Sequence, residues 1–205
     1  MSKYDIGGAQ GRYQPGSNDR VLENKLGITE PADIDEAELV LLEKLYEDVL
    51  LRNLPQAAIT VADIKTWHRR WLGNLYEWAG DERSVNMAKG DFQFAAAGQI
   101  PQLLSKFEQE YLNRYTPCSD MSHEPLIEAI AVVHVEFILI HPFRDGNGRL
   151  SRLLADVMAV QAGYQPLDYS SWDENKDAYF SAIGQGMSMN YQPMMEWVER
   201  ALGKG

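Results

Sequence analysis

His141-Pro-Phe-Arg-Asp-Gly-Asn-Gly-Arg-Leu-Ser-Arg152 joins an almost wholly apolar segment, Glu124 to Ile140, to an amphipathic helical pattern that follows it. A loop this polar between two core helices is costly to fold around, which points to chemistry. His141 is the one side chain in the stretch whose ordinary pKa lies near neutrality, so it can take a proton from an incoming hydroxyl. Asp145 is a hard oxygen ligand suited to Mg²⁺ shared with substrate phosphates. Gly146-Asn147-Gly148 permits positive φ and turns successive backbone N–H groups inward. A helix beginning at about Gly148 places those amides at the positive end of its dipole, an anion cradle. Arg149 and Arg152, three positions apart, project from one side of that helix and can clamp phosphate oxygens. A lone Asp-Gly-Asn-Gly is an ordinary turn sequence. Base, metal ligand, amide nest and two arginines together describe attack on a nucleotide phosphate.

The twelve residues resemble, without a departure, the signature of the Fic family (Fic/Doc superfamily), H-P-F-x-[D/E]-G-N-G-R-x-x-R. Most characterised members transfer AMP from ATP to a hydroxyl side chain of a target protein. The resemblance implies that His141 is the catalytic base toward a Ser, Thr or Tyr hydroxyl and that Phe143 points into the core. It implies Asp145 as the Mg²⁺ ligand at the α- and β-phosphates. Gly146, Asn147 and Gly148 become the anion hole, with Arg149 on the phosphates and Arg152 on the γ-phosphate. Doc-type kinases of the superfamily replace the second half of the motif, so Gly146-Asn147-Gly148 argues against that branch.

Outward from the loop, the chain reads as helices. Glu124 to Ile140 is apolar on nearly every face, which predicts a buried central helix. Glu128, His134 and Glu136 argue against a membrane span. His134 lies about two turns before His141 and is expected to buttress the loop structurally. Leu150, Leu153, Leu154, Val157 and Met158 form a second core stripe, closed by Gly163 and Pro166. Helices are also expected over Ser171–Ile183 and Met194–Leu202. Towards the N-terminus, Ile34, Ala37, Leu41, Leu45 and Val49 mark a helix from Asp33 to Arg52. Thr60 and Asp63 read as a capping box for a helix whose inner face carries Ile64, Trp67, Trp71 and Leu75. His68, one step off that stripe, is a structural histidine. Tyr76 and Trp78 join Trp67 and Trp71 as core aromatics, and Ile100–Tyr115 is a further helix.

Residues 83–95 break the helical period. Ser84-Val-Asn-Met-Ala88 alternates, Lys89-Gly-Asp91 is a turn, and Phe92-Gln-Phe94 alternates again, which predicts a short β-hairpin. By the resemblance this hairpin is the flap that aligns the target segment by backbone pairing, with Lys89, Gly90 and Phe92 as flap residues. Residues 1–33 read as an irregular arm, interrupted by Gly7-Gly8, Gly11 and Pro15-Gly16 and anchored by Tyr4 and Tyr13. Tyr13-Gln-Pro-Gly16 and Val21 to Ile28 resemble the lead-in of bacterial Fic toxins. The expectation is therefore an all-α, Fic-like bundle around a buried central helix with one β-hairpin flap, spanning residues 34–205.

The totals narrow the partners. At 205 residues, one domain with an N-terminal extension fits. A formal charge of −11 argues against nucleic-acid binding. The single Cys118 forms no internal disulfide, and no Cys/His cluster offers a zinc site. No apolar run nears twenty residues, so a cytoplasmic protein with no membrane contact is expected. In many Fic proteins an inhibitory Glu, in a [S/T]-x-x-x-E-[G/N] pattern, pairs with the second motif arginine. Ser170, Glu174 and Asn175 match formally but fall where an ordinary core helix is expected, and Ser181 with Gln185-Gly186 lacks the carboxylate. The resemblance thus points to a toxin whose inhibitory Glu comes from a small antitoxin partner. The substrates expected are ATP with Mg²⁺ and a target protein's hydroxyl. The alternatives are transfer of another nucleotide or a phosphoryl group, or a non-enzymatic nucleotide- or partner-binding module.

Overall fold

The computed structural model describes residues 9–90 and 92–203; Tyr4, Gly7, Gly8 and Asp91 lie outside them. Helix α5 (His123–Ile140) is the axis, buried along most of its length as its uniform apolar sequence demands. It ends because His141 adopts the left-handed conformation (φ 51°, ψ 61°), its N–H donating to the Phe137 carbonyl at 3.0 Å. The chain crosses the motif loop and enters α6 (Asn147–Gln161), which packs along α5. Helix α6 begins one residue before the expected Gly148. Gly146, at φ 79°, is its N-cap.

Around this pair lie α1 (Pro31–Tyr46) against α2 (Val61–Leu72), then α3 (Ile100–Phe107), the short α4 (Asn113–Tyr115), α7 (Ser170–Glu174), α8 (Lys176–Gln185) and α9 (Gln192–Leu202). The Thr60–Asp63 capping box forms as expected, with the Asp63 N–H donating to Thr60 Oγ1 at 3.1 Å. The expected helices over 33–52 and 100–115 are continuous but slip into π-helical turns at Glu47–Arg52 and Glu108–Leu112. The expected helix over 171–183 is two helices, broken where Asn175 leaves helical geometry (φ −122°, ψ 48°). Leu75 is buried as expected but lies past the end of α2.

The hairpin is real and minimal. Strand β1 (Ala88–Lys89) pairs antiparallel with β2 (Phe92–Gln93) in the register Ala88↔Gln93, Lys89↔Phe92. Residues 84–87 stay outside the strands, although the Phe94 N–H donates to the Met87 carbonyl at 3.1 Å. The arm preceding α1 is pinned to the core. Tyr13 bridges to Leu22, and the Gln10 side chain donates to the Glu82 carbonyl at 3.1 Å and accepts the Ser84 N–H at 2.7 Å. Arg144 of the motif donates through Nε to the Gln10 carbonyl at 2.6 Å, so arm and loop are fastened together.

Candidate active site

The loop opens into a cavity of about 550 Å³ whose wall includes His141, Asp145, Gly146, Gly148, Arg149 and Arg152. The expected base, metal ligand, amide turn and guanidinium pair therefore share one space. Asn147 contributes by closing the loop on itself. Its Nδ2 donates to the Phe143 carbonyl at 2.7 Å, and its Oδ1 accepts the Phe143 N–H at 2.9 Å. The side chain is thereby spent on the loop, which leaves only the backbone of Asn147 to face an anion. Phe143 is buried, as the resemblance implied, and stacks on His68 with ring centroids 3.9 Å apart.

His68 fastens the loop from α2. Its Nδ1 accepts the Gly80 N–H at 2.7 Å, so its proton lies on Nε2, which donates to the Asp145 carbonyl at 3.1 Å. Burial pushes its pKa down to about 4, and the ring stays neutral while doing this work. His134 is structural too, buried beside the backbone of Ser151 in the motif. It lies 2.7 Å from the Tyr179 hydroxyl and edge-on to Trp172, tying α5 to α7 and α8.

His141 is half-enclosed by the hairpin's second arm. Its ring lies against Phe94, and burial together with the positive charges of Arg83 and Lys89 lowers its pKa to about 4. Its Nδ1 is buried, and the backbone of Ile138 opposes the fall in pKa. The imidazole is neutral at pH 7.

Arg149 and Arg152 are each held by a carboxylate from elsewhere in the chain, Glu38 and Asp173. Arg149 Nη1 reaches Glu38 Oε2 at 2.6 Å, Nη2 lies 3.6 Å from Asp145 Oδ1, and the guanidinium sits 4.6 Å over Trp71. Glu38, on α1, is buried and also accepts the Tyr76 hydroxyl at 2.6 Å. Burial raises its pKa, opposed chiefly by the charge of Arg149. Arg152 is gripped bidentately by Asp173, at 2.7 and 3.1 Å, and stacks 4.7 Å from the Tyr169 ring. Glu174, the formal match to an inhibitory carboxylate, is exposed; its neighbour Asp173 is the residue that meets Arg152.

Of the flap residues, Lys89 lines the cavity and sets its Nζ 3.6 Å from the Phe180 ring centroid. Gly90 and Phe92 line an adjoining apolar pocket of about 260 Å³, shared with Phe94, Ile138 and Phe180. Among the described residues no cluster of three or more His, Cys, Asp or Glu can hold a metal. Asp145 alone suits a Mg²⁺ that takes its other ligands from phosphates and water. Its side chain is 47% exposed toward the cavity. No helix among the described residues is long and apolar enough to cross a membrane.

Residues 58–159 match the Fic/DOC family. The chain is 26% identical over 188 residues to the probable protein adenylyltransferase y4lH of Sinorhizobium fredii, covering 92% of this chain and 93% of that one. It is 30% identical over 159 residues to the probable protein adenylyltransferase Fic of Salmonella typhimurium, covering 73% and 72%. By contrast it spans 41% of the protein adenylyltransferase Fic of Nematostella vectensis, at 26% identity over 88% of this chain. Among solved structures, BepC of Bartonella tribocorum with bound AMPPNP superimposes with a TM-score of 0.75 at 25% identity, covering 98% of this chain and 100% of that one.

Proposed function

The chain belongs to the Fic/DOC family, and from that premise we propose that it is a protein adenylyltransferase, moving AMP from ATP to a Ser, Thr or Tyr hydroxyl of a target protein. The observation that carries this reading is the single cavity shared by a neutral imidazole, the N-terminus of α6 and two guanidinium groups. The target oxygen attacks the α-phosphorus, the bond from that phosphorus to the bridging oxygen breaks, and pyrophosphate leaves. The hydroxyl proton passes to His141. A histidine titrating near 4 is a poor base, but a bound triphosphate raises its pKa by placing negative charge beside it. Backbone amides at Gly146–Gly148, with Arg149 and Arg152, meet the charge that develops on the phosphates. Asp145 holds Mg²⁺, which neutralises phosphate charge when bound.

The base stacks in the apolar recess beside the hairpin, where Phe180 and Phe94 offer ring surfaces. Stacking of this kind accepts any base, so ATP preference rests on the AMPPNP seen in BepC and on the relatives' names. The hairpin, with Lys89, Gly90 and Phe92, presents the target segment along its edge. Residues 34–205 act as the catalytic domain and the preceding arm as its brace. In keeping with a toxin, inhibition comes in trans from a small antitoxin bearing the missing Glu.

Incubation with α- and γ-labelled ATP tests the reading. AMP transfer leaves α-label on protein, phosphoryl transfer leaves γ-label, and a binding module leaves neither; His141→Ala removes the α-label while the chain stays folded. Free growth of cells expressing the unpartnered, α-labelling chain overturns the toxin reading.

A further inference from the structure

Arg83 is a nearly fully buried cation, 2% exposed, and among the described residues its partners are carbonyls, with no carboxylate. Its Nε donates to the His141 carbonyl at 2.6 Å and its Nη2 to the Ile140 carbonyl at 3.2 Å. Its Nη1 donates to the Val85 carbonyl at 2.5 Å, and Nη2 also reaches the Ala95 carbonyl at 2.6 Å. Its own backbone N–H donates to the Pro142 carbonyl at 2.8 Å. Of the four oxygens that the guanidinium reaches, two belong to the C-terminal end of α5 and two to the arms of the hairpin. The helix end carries the negative pole of its dipole and orphan carbonyls, which together favour a buried cation there. Only the guanidinium fork points donors in enough directions to reach both elements; an ammonium does not.

We infer that Arg83 is a positioning residue that locks the His141 turn and the base of the hairpin into one frame, fixing the distance between the proton acceptor and the strand edge that presents the target hydroxyl. The turn needs such a lock. His141 sits at φ 51°, a conformation an L residue holds only where its surroundings impose it. The hairpin has two residues in each strand and cannot align itself. A hydrogen bond from the Ala95 N–H to the Leu139 carbonyl at 3.3 Å adds a second tie between the same two elements. Arg83 touches none of the groups assigned to the triphosphate, so its effect falls on the proton-transfer geometry and not on nucleotide affinity.

This inference rests on the adenylyl-transfer reading, and the test separates the two. Arg83→Lys and Arg83→Gln are compared with the parent by thermal unfolding, by kcat and ATP KM for α-label transfer, and by NMR titration of His141 in the nucleotide-free protein. Arg83→Lys is expected to lower kcat about tenfold with ATP KM changed less than about twofold, and Arg83→Gln about a hundredfold. His141 is expected to titrate higher in Arg83→Gln, which loses the neighbouring positive charge, and to stay near the parent value in Arg83→Lys, which keeps it. Folded variants with the parent's kcat overturn the proposal. So does a KM that rises in step with the loss of kcat, or a failure of both variants to unfold cooperatively, which assigns Arg83 to stability alone. If the parent transfers no AMP, the adenylyl reading fails, and an unmoved His141 titration in Arg83→Gln still rejects the role given to Arg83.

Discussion

The imidazole of His141 lies flat against the ring of Phe94, with centroids 3.7 Å apart and planes 19° from parallel. Phe94 follows β2 directly, so the orientation of the base depends on the hairpin being in place. Phe94 is half-buried and borders the cavity. Phe94→Ala is expected to cost roughly 1 kcal/mol of stability and to lower kcat about tenfold, because the ring is free to swing. Phe94→Leu, apolar but not flat, falls between. Thermal unfolding and α-label transfer measured on the same preparations check both halves; unchanged kcat in a folded Phe94→Ala removes the clamp from the account.

Asp156 makes stability depend on pH. It is buried on α6, where its carboxylate accepts the Leu167 N–H at 2.8 Å and the Tyr169 and Tyr46 hydroxyls at 2.9 and 3.1 Å. Burial outweighs these bonds and lifts its pKa from 3.8 to about 6. The folded chain therefore binds a proton more tightly than the unfolded chain does. Its contribution is fully present below about pH 4 and is lost as pH rises through about 6. Asp156→Asn removes this titration. The parent's stability relative to that variant is expected to fall by about 2 kcal/mol between pH 4 and pH 7, measured by urea unfolding of both. A gap that does not change with pH contradicts the assignment.

With Arg152 assigned to the γ-phosphate as proposed above, Asp173 becomes that phosphate's competitor for the guanidinium. The bidentate pair occupies both terminal nitrogens of the guanidinium, and Arg152 in turn holds the Asp173 carboxyl below its usual range. Asp173 is half-exposed, so the pair itself contributes little to folding. Asp173→Asn is expected to lower the ATP Kd about threefold to tenfold, and Arg152→Ala to raise it by about tenfold or more. Calorimetric titration with a non-hydrolysable ATP analogue reads both. If Asp173→Asn weakens binding as Arg152→Ala does, Asp173 orients the arginine and does not compete for it.

The loop and the helices around it were legible because their signals are local. Apolar spacing marks α1, α2 and α6, a continuous apolar run marks α5, Thr60 and Asp63 mark a cap, and twelve contiguous residues mark the loop. What escaped was whatever depends on long-range closure. Glu38 meets Arg149 across 111 residues of sequence, and nothing around Glu38 distinguishes it from the other acids of α1. Arg83 looks like any charged residue before a hairpin until four carbonyls converge on it. Helical periodicity does not tell which neighbouring element meets His134, and Tyr179 does. The break at Asn175 is local: asparagine is a weak helix former, and its Nδ2 turns back to the Ser171 carbonyl at 2.9 Å.

Two glycines of the loop separate folding from binding. At Gly146, φ is +79° and an added Cβ comes within 2.7 Å of Trp71 Cζ3. Trp71 cannot yield: it is fully buried, and its Nε1 donates to the Glu38 carbonyl at 2.8 Å. Gly146→Ala is expected to cost about 2–4 kcal/mol from the left-handed strain and the overpacking together. It should also disturb Arg149, which lies over that ring. At Gly148 an added Cβ meets nothing within 4 Å, and the residue lies on the helix where alanine is the better former. Gly148→Ala is expected to unfold at the parent's temperature or slightly above, yet to bind the ATP analogue about tenfold more weakly, because the methyl stands where phosphate oxygens approach the amides. Equal affinity in a stable Gly148→Ala would place the triphosphate away from the start of α6.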